Sequence, residues 1–289
     1  MSSRHSDLGH RQIDWERHFN PRAAIANFDQ IVGERKKMSA LIRDRGPFVA
    51  DLRYGEAARS TLDVFPAQTA KAALVYIHGG YWRSGAAKDN SAIAAHFCDA
   101  GVAVFLVNYT LCPDSTVPEI VQQLAQALTW IKANGSNYGA APDHLYLCGT
   151  SAGAHLAAML LASDPSRAGA CLISGIYDLA PVLKVSVNAE IGLTPEMVHP
   201  MSPMFHLPAG DPRLVMVVGG QEPSLWIQQT RDYGARCVEQ GLKCDLFEIA
   251  GANHFSVVEA LYDEKAPIAA VMKTAMGLVN DLATDEAIK

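Results

Sequence analysis

Short apolar segments alternate with longer segments of helical pattern along most of this chain of 289 residues. The apolar segments do not alternate polar and apolar side chains, which is typical of strands buried on both faces. Buried strands that are separated by helices form a parallel sheet with a helical layer on each side. The sequence therefore predicts an α/β fold with a mostly parallel central sheet and helices on both faces. Its strands are expected at 73–77, 102–107, 144–148, 169–173, 213–218 and 243–249.

The segments between these strands predict helices at 86–100, 118–134, 152–162 and 224–240, with a last helix at 267–284. Upstream, residues 51–55 and 60–66 alternate apolar and polar side chains, as half-buried strands of a hairpin do. Residues 1–50 are polar and charged, and a helix is predicted within 21–43. We expect an N-terminal arm at 1–50, contributing to a cap, followed by one domain at 51–289.

Residues 175–210 interrupt this regular alternation. The segment contains five prolines and several methionines. It is longer than an ordinary connection between two elements, and long irregular segments are often lids over a binding site. The sequence therefore predicts a small cap or lid at 175–210.

Composition and charge disfavour several functions. The formal net charge of −6 argues against nucleic-acid binding, which needs clustered Lys and Arg. The first twenty residues lack the apolar core of a signal peptide, and no apolar run approaches the roughly 18 residues that cross a bilayer. The six cysteines form no Cys-x-x-Cys pair, and the histidines show no metal-ligand spacing. We expect a cytoplasmic protein with no metal, no cofactor and no nucleic-acid or membrane partner.

The stretch Gly-Thr-Ser-Ala-Gly at 149–153 joins a predicted strand directly to a predicted helix. In that context the Gly-x-Ser-x-Gly pattern indicates a strained turn that exposes a nucleophilic serine, and the flanking glycines supply the space that the turn needs. The sequence predicts that Ser151 is this nucleophile.

A serine hydroxyl attacks a carbonyl only when a base takes its proton and a third group orients the base. In a sheet of this kind the acid and then the histidine follow the serine, each just after a later strand. Glu222 and His254 occupy these two places. Asp178, which follows the preceding strand, is a competing acid, whereas Asp211 lies before its strand. Competing histidines are His78, His155, His199 and His206, none of which follows the last strand.

The stretch His-Gly-Gly-Tyr-Trp at 78–82 follows the first buried strand. Glycines there let the backbone approach another group closely. Attack on a carbonyl builds negative charge on its oxygen, and backbone N–H groups aimed at that oxygen stabilise it. We predict the N–H group of Ala152, which follows the nucleophile, as one donor and expect the others from this loop, with Tyr81 and Trp82 as walls of the substrate pocket.

These motifs resemble those of the α/β-hydrolases, in particular the hormone-sensitive-lipase-like branch, which carries His-Gly-Gly-Gly where this chain has His-Gly-Gly-Tyr. The segment Val-Asn-Tyr-Thr-Leu-Cys-Pro at 107–113 is similar to the Tyr-Arg-Leu-Ala-Pro segment of that branch. Tyr81 followed by Trp82 is similar to the kynurenine formamidases, which hydrolyse the N-formyl amide of formylkynurenine. Two positions depart from the pattern, since Glu222 stands where those enzymes usually have aspartate and Thr110 where the branch has arginine.

The resemblance covers residues 50 to 285 approximately. It implies Ser151 as nucleophile, His254 as base and Glu222 as acid. It also implies the backbone N–H groups of Gly80, Tyr81 and Ala152 as the oxyanion donors. It implies a serine hydrolase of a small-acyl amide or ester, with an arylformamide of the N-formylkynurenine type as the first expectation. A short-chain carboxylesterase of broad specificity is the alternative, because the same triad cleaves esters and amides. A ligand-binding protein on a hydrolase scaffold is a further alternative. The expected partner is a small-molecule substrate, with a homodimer as one possible assembly.

Overall fold

The computed structural model of the protein describes residues 13–278, except 70, 142 and 165. Within that part of the chain one sheet contains eight strands: β1 (Val49–Arg53), β2 (Thr61–Phe65), β3 (Ala72–Ile77), β4 (Val102–Val107), β5 (Leu145–Thr150), β6 (Gly169–Ile173), β7 (Arg213–Gly219) and β8 (Cys244–Ile249). Their order across the sheet is β1-β2-β4-β3-β5-β6-β7-β8. The pairs β1–β2 and β2–β4 are antiparallel, and every other pair is parallel. The predicted α/β fold is confirmed.

The α-helices of the described residues are α1 (Trp15–Phe19), α2 (Phe28–Arg45), α3 (Val117–Asn134), α4 (Ala152–Ser163), α5 (Asn188–Ile191), α6 (Pro195–Met201), α7 (Ser224–Glu239) and α8 (Pro267–Ala275). Short 3-10 helices lie at Pro21–Ala24, Ala87–Ala95, Gly135–Tyr138, Ala180–Lys184, Pro203–Phe205 and Val257–Leu261. The helices predicted between β4 and β8 are confirmed as α3, α4 and α7. The last helix ends at Ala275, earlier than predicted, and residues 279–284 of the prediction lie outside the described residues.

The α-helix predicted at 86–100 is wrong, because this segment forms a 3-10 helix at Ala87–Ala95 with a kink. Asn90 has φ −120° and ψ 15°, and its side-chain amide donates to the backbone carbonyl four residues earlier. The hydroxyl of Ser39 on α2 accepts a hydrogen bond from the Ala92 N–H. Side chains that compete for backbone groups in this way weaken a regular helix. The competing partner is distant in sequence, so the local pattern does not reveal it.

The carboxyl ends of β3, β5, β7 and β8 lie at one edge of the sheet, since these strands run parallel. The strands β3 to β6 are buried along their whole length, which explains their continuous apolar sequences. Loops that follow neighbouring strands at this edge meet in space, and such an edge is where open α/β sheets bind ligands. The stretches 78–82, 149–153 and 219–222 and the loop with His254 all follow these strand ends.

The described part of the N-terminal arm, residues 13–50, lies against this edge of the sheet. Its helix α2 packs against the 3-10 helix at Ala87–Ala95, where the Ser39 hydroxyl donates to the backbone carbonyl of Asp89 over 2.9 Å. Farther along α2, Arg43 forms an ion pair of 2.6 Å with Asp63 on β2. Helix packing, the Ser39 hydrogen bond and the Arg43 ion pair therefore fix the arm to the domain.

Residues 175–210 form α5, α6 and two 3-10 helices, and they pack against α1, α3 and α4. Buried apolar side chains of this segment, among them Val182, Ile191 and Leu193, join the core on that side of the sheet. The segment is therefore part of the packed domain. No helix in the described part of the chain combines the length and the apolar content needed to cross a membrane.

Candidate active site

Ser151 lies in the turn between β5 and α4 with φ 56° and ψ −120°. A non-glycine residue at positive φ is strained, and such strain is frequent at functional sites. Both flanking positions must be glycine, because there is no room for a Cβ atom at either one. A Cβ on Gly149 would lie 2.3 Å from the Gly153 carbonyl oxygen, and one on Gly153 would lie 2.0 Å from the Ile77 oxygen. The turn therefore has the geometry that the Gly-x-Ser-x-Gly pattern predicts.

The structure brings Ser151, His254 and Glu222 together in one buried chain of hydrogen bonds. The His254 Nε2 lies 3.0 Å from the Ser151 Oγ, and the His254 Nδ1 lies 2.6 Å from the Glu222 Oε2. A carboxylate accepts, so Nδ1 carries the proton and Nε2 is free to accept the serine proton. The arrangement can activate a serine hydroxyl for attack on a carbonyl.

The second oxygen of the Glu222 carboxylate is held by two donors. The Ser174 hydroxyl donates to Oε1 over 2.5 Å, and the Gly219 N–H donates to the same atom over 2.7 Å. Ser174 has φ 49°, and its carbonyl accepts from the indole N–H of Trp226, whose ring packs edge-on against His254. Ser174 is not among the site residues predicted from the sequence, although its position directly after β6 is a signal that it reaches the same edge of the sheet.

The competing acids lie elsewhere. One Asp178 carboxylate oxygen accepts from the backbone N–H of Ala180 over 2.9 Å. Asp211 is exposed and lies 3.4 Å from the Lys243 Nζ, before the start of β7. Neither carboxylate hydrogen-bonds to His254, whose Nδ1 faces Glu222.

The loop after β3 lies directly against the serine turn. A Cβ on Gly79 would lie 2.6 Å from the Thr150 carbonyl oxygen and 3.2 Å from the Ser151 Cβ. Gly80 and Tyr81 both have positive φ, of 116° and 54°. Within the described residues, the backbone N–H groups of Gly80, Tyr81 and Ala152 have no hydrogen-bond acceptor. Three free donors near a buried serine can stabilise an oxyanion.

Trp82 does not wall the pocket, which corrects the prediction from the sequence. Its φ is 57°, and its side chain is 0% exposed, in the core beside α4 rather than in the cavity. The indole N–H donates to the His155 Nδ1 over 3.2 Å, and the His155 Nε2–H donates to the Met201 carbonyl over 2.7 Å. Burial lowers the pKa of His155 to about 4. His155 is therefore a neutral imidazole used on both nitrogens, and not the catalytic base.

Tyr81 does line the cavity, and its hydroxyl donates to the Phe19 carbonyl of the arm over 2.5 Å. His78 also faces the cavity. Its Nδ1–H donates to the Gly79 carbonyl over 2.8 Å, and its ring stacks on Tyr109 with 4.4 Å between centroids. Burial lowers the pKa of His78 to about 4. The other competing histidines, His199 and His206, contact each other on residues 175–210.

A cavity of about 550 Å³ opens beside Ser151 and His254, within the usual range for small-molecule sites. One wall is the loop at 78–86, and the opposite wall is the arm, with residues between Asn20 and Lys36. No described residue of 175–210 lines the cavity. The cap or lid predicted at 175–210 stays a prediction: the segment packs against α3 and α4, and its Glu190 pairs with Arg83 of the cavity wall.

The described residues contain no cluster of three His, Cys, Asp or Glu side chains placed to bind a metal ion. Ser151 and His254 line the cavity together with Gly80 and Tyr81, whose backbone N–H groups have no acceptor among the described residues. Together they suit acyl transfer through serine.

Comparison with known proteins finds similarity to a family model, to kynurenine formamidases of other organisms and to a solved structure. A family model described as BD-FAE matches residues 62–168. The chain is 31% identical to the kynurenine formamidase of Salmo salar over 241 residues, which cover 78% of this chain and 80% of the relative. It is 31% identical to the kynurenine formamidase of Danio rerio over 229 residues, covering 74% and 77%. A crystal structure of a proposed thioesterase from Silicibacter sp. TM1040 superposes with a TM-score of 0.80 at 25% identity, covering 91% of this chain and 100% of that one.

Proposed function

We propose that this chain, which belongs to the kynurenine formamidase family of α/β-hydrolases, hydrolyses the N-formyl group of an arylformamide. The reference substrate is N-formyl-L-kynurenine. The protein is a hydrolase of amide or ester bonds. The proposal of arylformamide hydrolysis rests on the buried Ser151–His254–Glu222 chain of hydrogen bonds beside a cavity with aromatic walls.

In the proposed mechanism, the Ser151 Oγ attacks the formyl carbon while His254 Nε2 takes the serine proton. The negative charge on the formyl oxygen is stabilised by the N–H groups of Gly80, Tyr81 and Ala152. The carbon–nitrogen bond then breaks, and His254 returns its proton to the departing arylamine nitrogen. A water molecule, deprotonated by His254, attacks the formyl ester, and formate leaves as the serine regains its proton.

The cavity walls support an aryl leaving group. Tyr81, Phe28 and Phe255 all line the cavity, and the last two pack edge to face with 4.6 Å between their centroids. Aromatic side chains bind an aryl ring by offset or edge-on packing. The loop residue Gly79 lies against Ser151 so closely that even a Cβ would collide there. The loop after β3 is thereby held directly against the serine turn.

We also propose that the arm at 1–50 contributes the cap of the site. Its described residues between Asn20 and Lys36 line the cavity, and the Phe19 carbonyl accepts the hydrogen bond of the Tyr81 hydroxyl. A cytoplasmic location is supported by the six cysteines, which are all free thiols, as expected for a protein kept in a reducing compartment.

The test is kcat/KM for N-formyl-L-kynurenine beside p-nitrophenyl acetate and butyrate, with Ser151→Ala as the blank. Ser163→Ala on the same helix is the matched control, because its exposed hydroxyl only donates to a carbonyl within that helix. The proposal expects kcat/KM on the formamide well above both esters, and loss of all turnover in Ser151→Ala alone. Turnover of the esters without the formamide would replace the formamidase by a short-chain carboxylesterase. A fully active Ser151→Ala protein would refute the mechanism.

A further inference from the structure

Arg35 is a cation in the wall of the catalytic cavity that has no ion pair and no hydrogen bond among the described residues. Helix α2 of the arm places it in the cavity that also holds Ser151 and His254. Its Nε is buried and has no hydrogen-bond partner. A buried, unpaired donor on a charged group costs free energy. The position is therefore suited to an anion that arrives with a ligand.

The other cations of the cavity are already occupied. Lys36 forms an ion pair of 3.5 Å with Asp89, and Arg83 forms one of 2.8 Å with Glu190. Arg22 is exposed and lies over an aromatic ring of the arm at 4.7 Å. The Nε of Arg83 is also buried without a hydrogen-bond partner, but its guanidinium is paired with Glu190. Among the described cations of this cavity, Arg35 alone has a buried donor without a partner and no ion pair.

The carboxylates near Arg35 do not neutralise it by contact. Burial raises the pKa of Glu259, and the charge of Arg35 opposes that shift. Glu259 is thus within electrostatic range, yet it is exposed and forms no ion pair with Arg35 within 4.0 Å. Of the two carboxylates that line the cavity, Asp89 is paired with Lys36 and Asp29 is exposed.

We propose that Arg35 binds a carboxylate on the leaving group of the substrate. A guanidinium presents a planar fork of donors that matches a carboxylate, which explains an arginine rather than a lysine at this position. The assignment to the leaving group rests on the proposed function, because a formyl group carries no carboxylate. N-formyl-L-kynurenine, the reference substrate, already carries a carboxylate on the side chain of its aryl ring. The proposal places that anion at Arg35 and the aryl ring between the aromatic walls.

The test uses a pair of formamides that differ only at the anion: 4-(2-formamidophenyl)-4-oxobutanoate and 2′-formamidobutyrophenone, in which a methyl group replaces the carboxylate. The quantity measured is the ratio of kcat/KM for the anionic substrate to kcat/KM for the neutral one. Arg35→Gln should lower this ratio about 10- to 100-fold, mostly through KM, which corresponds to the loss of a charge-assisted hydrogen bond. Arg35→Lys should lower it less, because the charge stays while the fork is lost.

Lys37→Gln is the matched control, because it removes one positive charge from the same helix at an exposed position outside the cavity. Its ratio should equal that of the unmodified protein. An equal fall of the ratio in Arg35→Gln and Lys37→Gln would show a general charge effect and overturn the proposal, as would no fall in Arg35→Gln.

A second pair, 3-acetoxybenzoate and phenyl acetate, separates this proposal from the formamidase assignment. If formamides are not hydrolysed but the ester ratio depends on Arg35, the proposed substrate fails and the carboxylate site stands. If formamides are hydrolysed and the ratio of kcat/KM for the anionic to the neutral substrate does not depend on Arg35, the carboxylate site fails and the proposed function stands. Should Arg35→Gln not fold, Arg35→Lys takes its place in the same measurement with Lys37→Gln as control. A ratio that is unchanged in Arg35→Lys then overturns the site.

Discussion

Mild acid should destabilise the folded protein through two buried histidines, His78 and His155. Burial lowers the pKa of each to about 4, whereas an unfolded chain holds histidine near 6.5. Between these values the unfolded chain binds more protons than the folded one, so the free energy of unfolding rises with pH. This stabilisation is complete above about pH 6.5 and is lost as the pH falls towards 4. Each histidine contributes about 1.4 kcal/mol per pH unit, or about 3 kcal/mol over the whole window.

His155 is the better site for a test because both of its ring nitrogens have partners. The indole of Trp82 donates to Nδ1, and Nε2–H donates to the Met201 carbonyl. A second proton would have to be placed on Nδ1, where the indole N–H already points. His155→Gln removes the titration while its amide can still accept and donate. We expect this variant to be less stable at pH 8 by about 1–3 kcal/mol, because an amide fits the two partners less well.

The assay is urea unfolding followed by tryptophan fluorescence at pH 8, 6.5 and 5. Between pH 6.5 and 5, His155→Gln should lose about 2 kcal/mol less free energy of unfolding than the unmodified protein. Because the change in the free energy of unfolding with pH is compared between two proteins, the contribution of carboxylates that titrate in both of them cancels. His144→Gln is the control, since that imidazole is exposed in the folded protein. Parallel losses in His155→Gln and the unmodified protein would refute the reasoning.

Three further substitutions test the site. Ser174→Ala removes one of two donors to the Glu222 Oε1. It should lower kcat about tenfold with a smaller change in KM, measured by steady-state kinetics, and an unchanged kcat would show that Ser174 does not position the acid. Glu222→Gln should lower kcat by about 10³ to 10⁴, because an amide does not stabilise the protonated His254, and a loss below tenfold would point to another acid. Gly153→Ala places a Cβ 2.0 Å from the Ile77 oxygen and should cost at least about 2 kcal/mol in thermal unfolding; an unchanged melting temperature contradicts the packing argument.

Much of the fold was predictable because its signals are local. The continuous apolar sequences of β3 to β6 indicate strands buried on both faces. Ser151, Glu222 and His254 each follow a strand that ends at the same edge of the sheet. Once the strands are placed, the parallel topology brings the three loops together, and their assembly needs no knowledge of side-chain packing.

The missed features depend on contacts between segments that are distant in sequence. The length and prolines of 175–210 indicate an irregular segment, but only packing decides that it covers α4 while the arm lines the cavity. Ser174 matters because its hydroxyl reaches Glu222, which is 48 residues away. Arg35 lies in a charged run on a helix, and nothing in that run distinguishes it from Lys36 or the next lysine until the cavity is known.

The position of Trp82 shows how the two halves of the oxyanion site are held together. The donors of Gly80 and Tyr81 come from the loop after β3, whereas the donor of Ala152 comes from the start of α4. Such donors are effective only when their relative positions are fixed before the charge develops. Trp82 in the loop donates to His155 on α4 and packs edge-on against it at 5.0 Å, which joins the two segments directly behind the site.

The same contact connects the acid sensitivity of the fold to activity. A proton on the His155 Nδ1 would break the hydrogen bond from the Trp82 indole, and the loop and α4 would lose this direct link. In the pH range where the unmodified protein is still folded, His155→Gln should therefore show a lower kcat than the unmodified protein at pH 8 and a weaker decline as the pH approaches about 4, the pKa of His155 in the folded protein. Trp82→Phe, which keeps most of the ring but removes the donor, should lower kcat at every pH and weaken the same decline, because no indole hydrogen bond remains for the proton to break. If Trp82→Phe leaves kcat unchanged, the loop and α4 are aligned by backbone packing alone, through the close approach of Gly79 to Thr150.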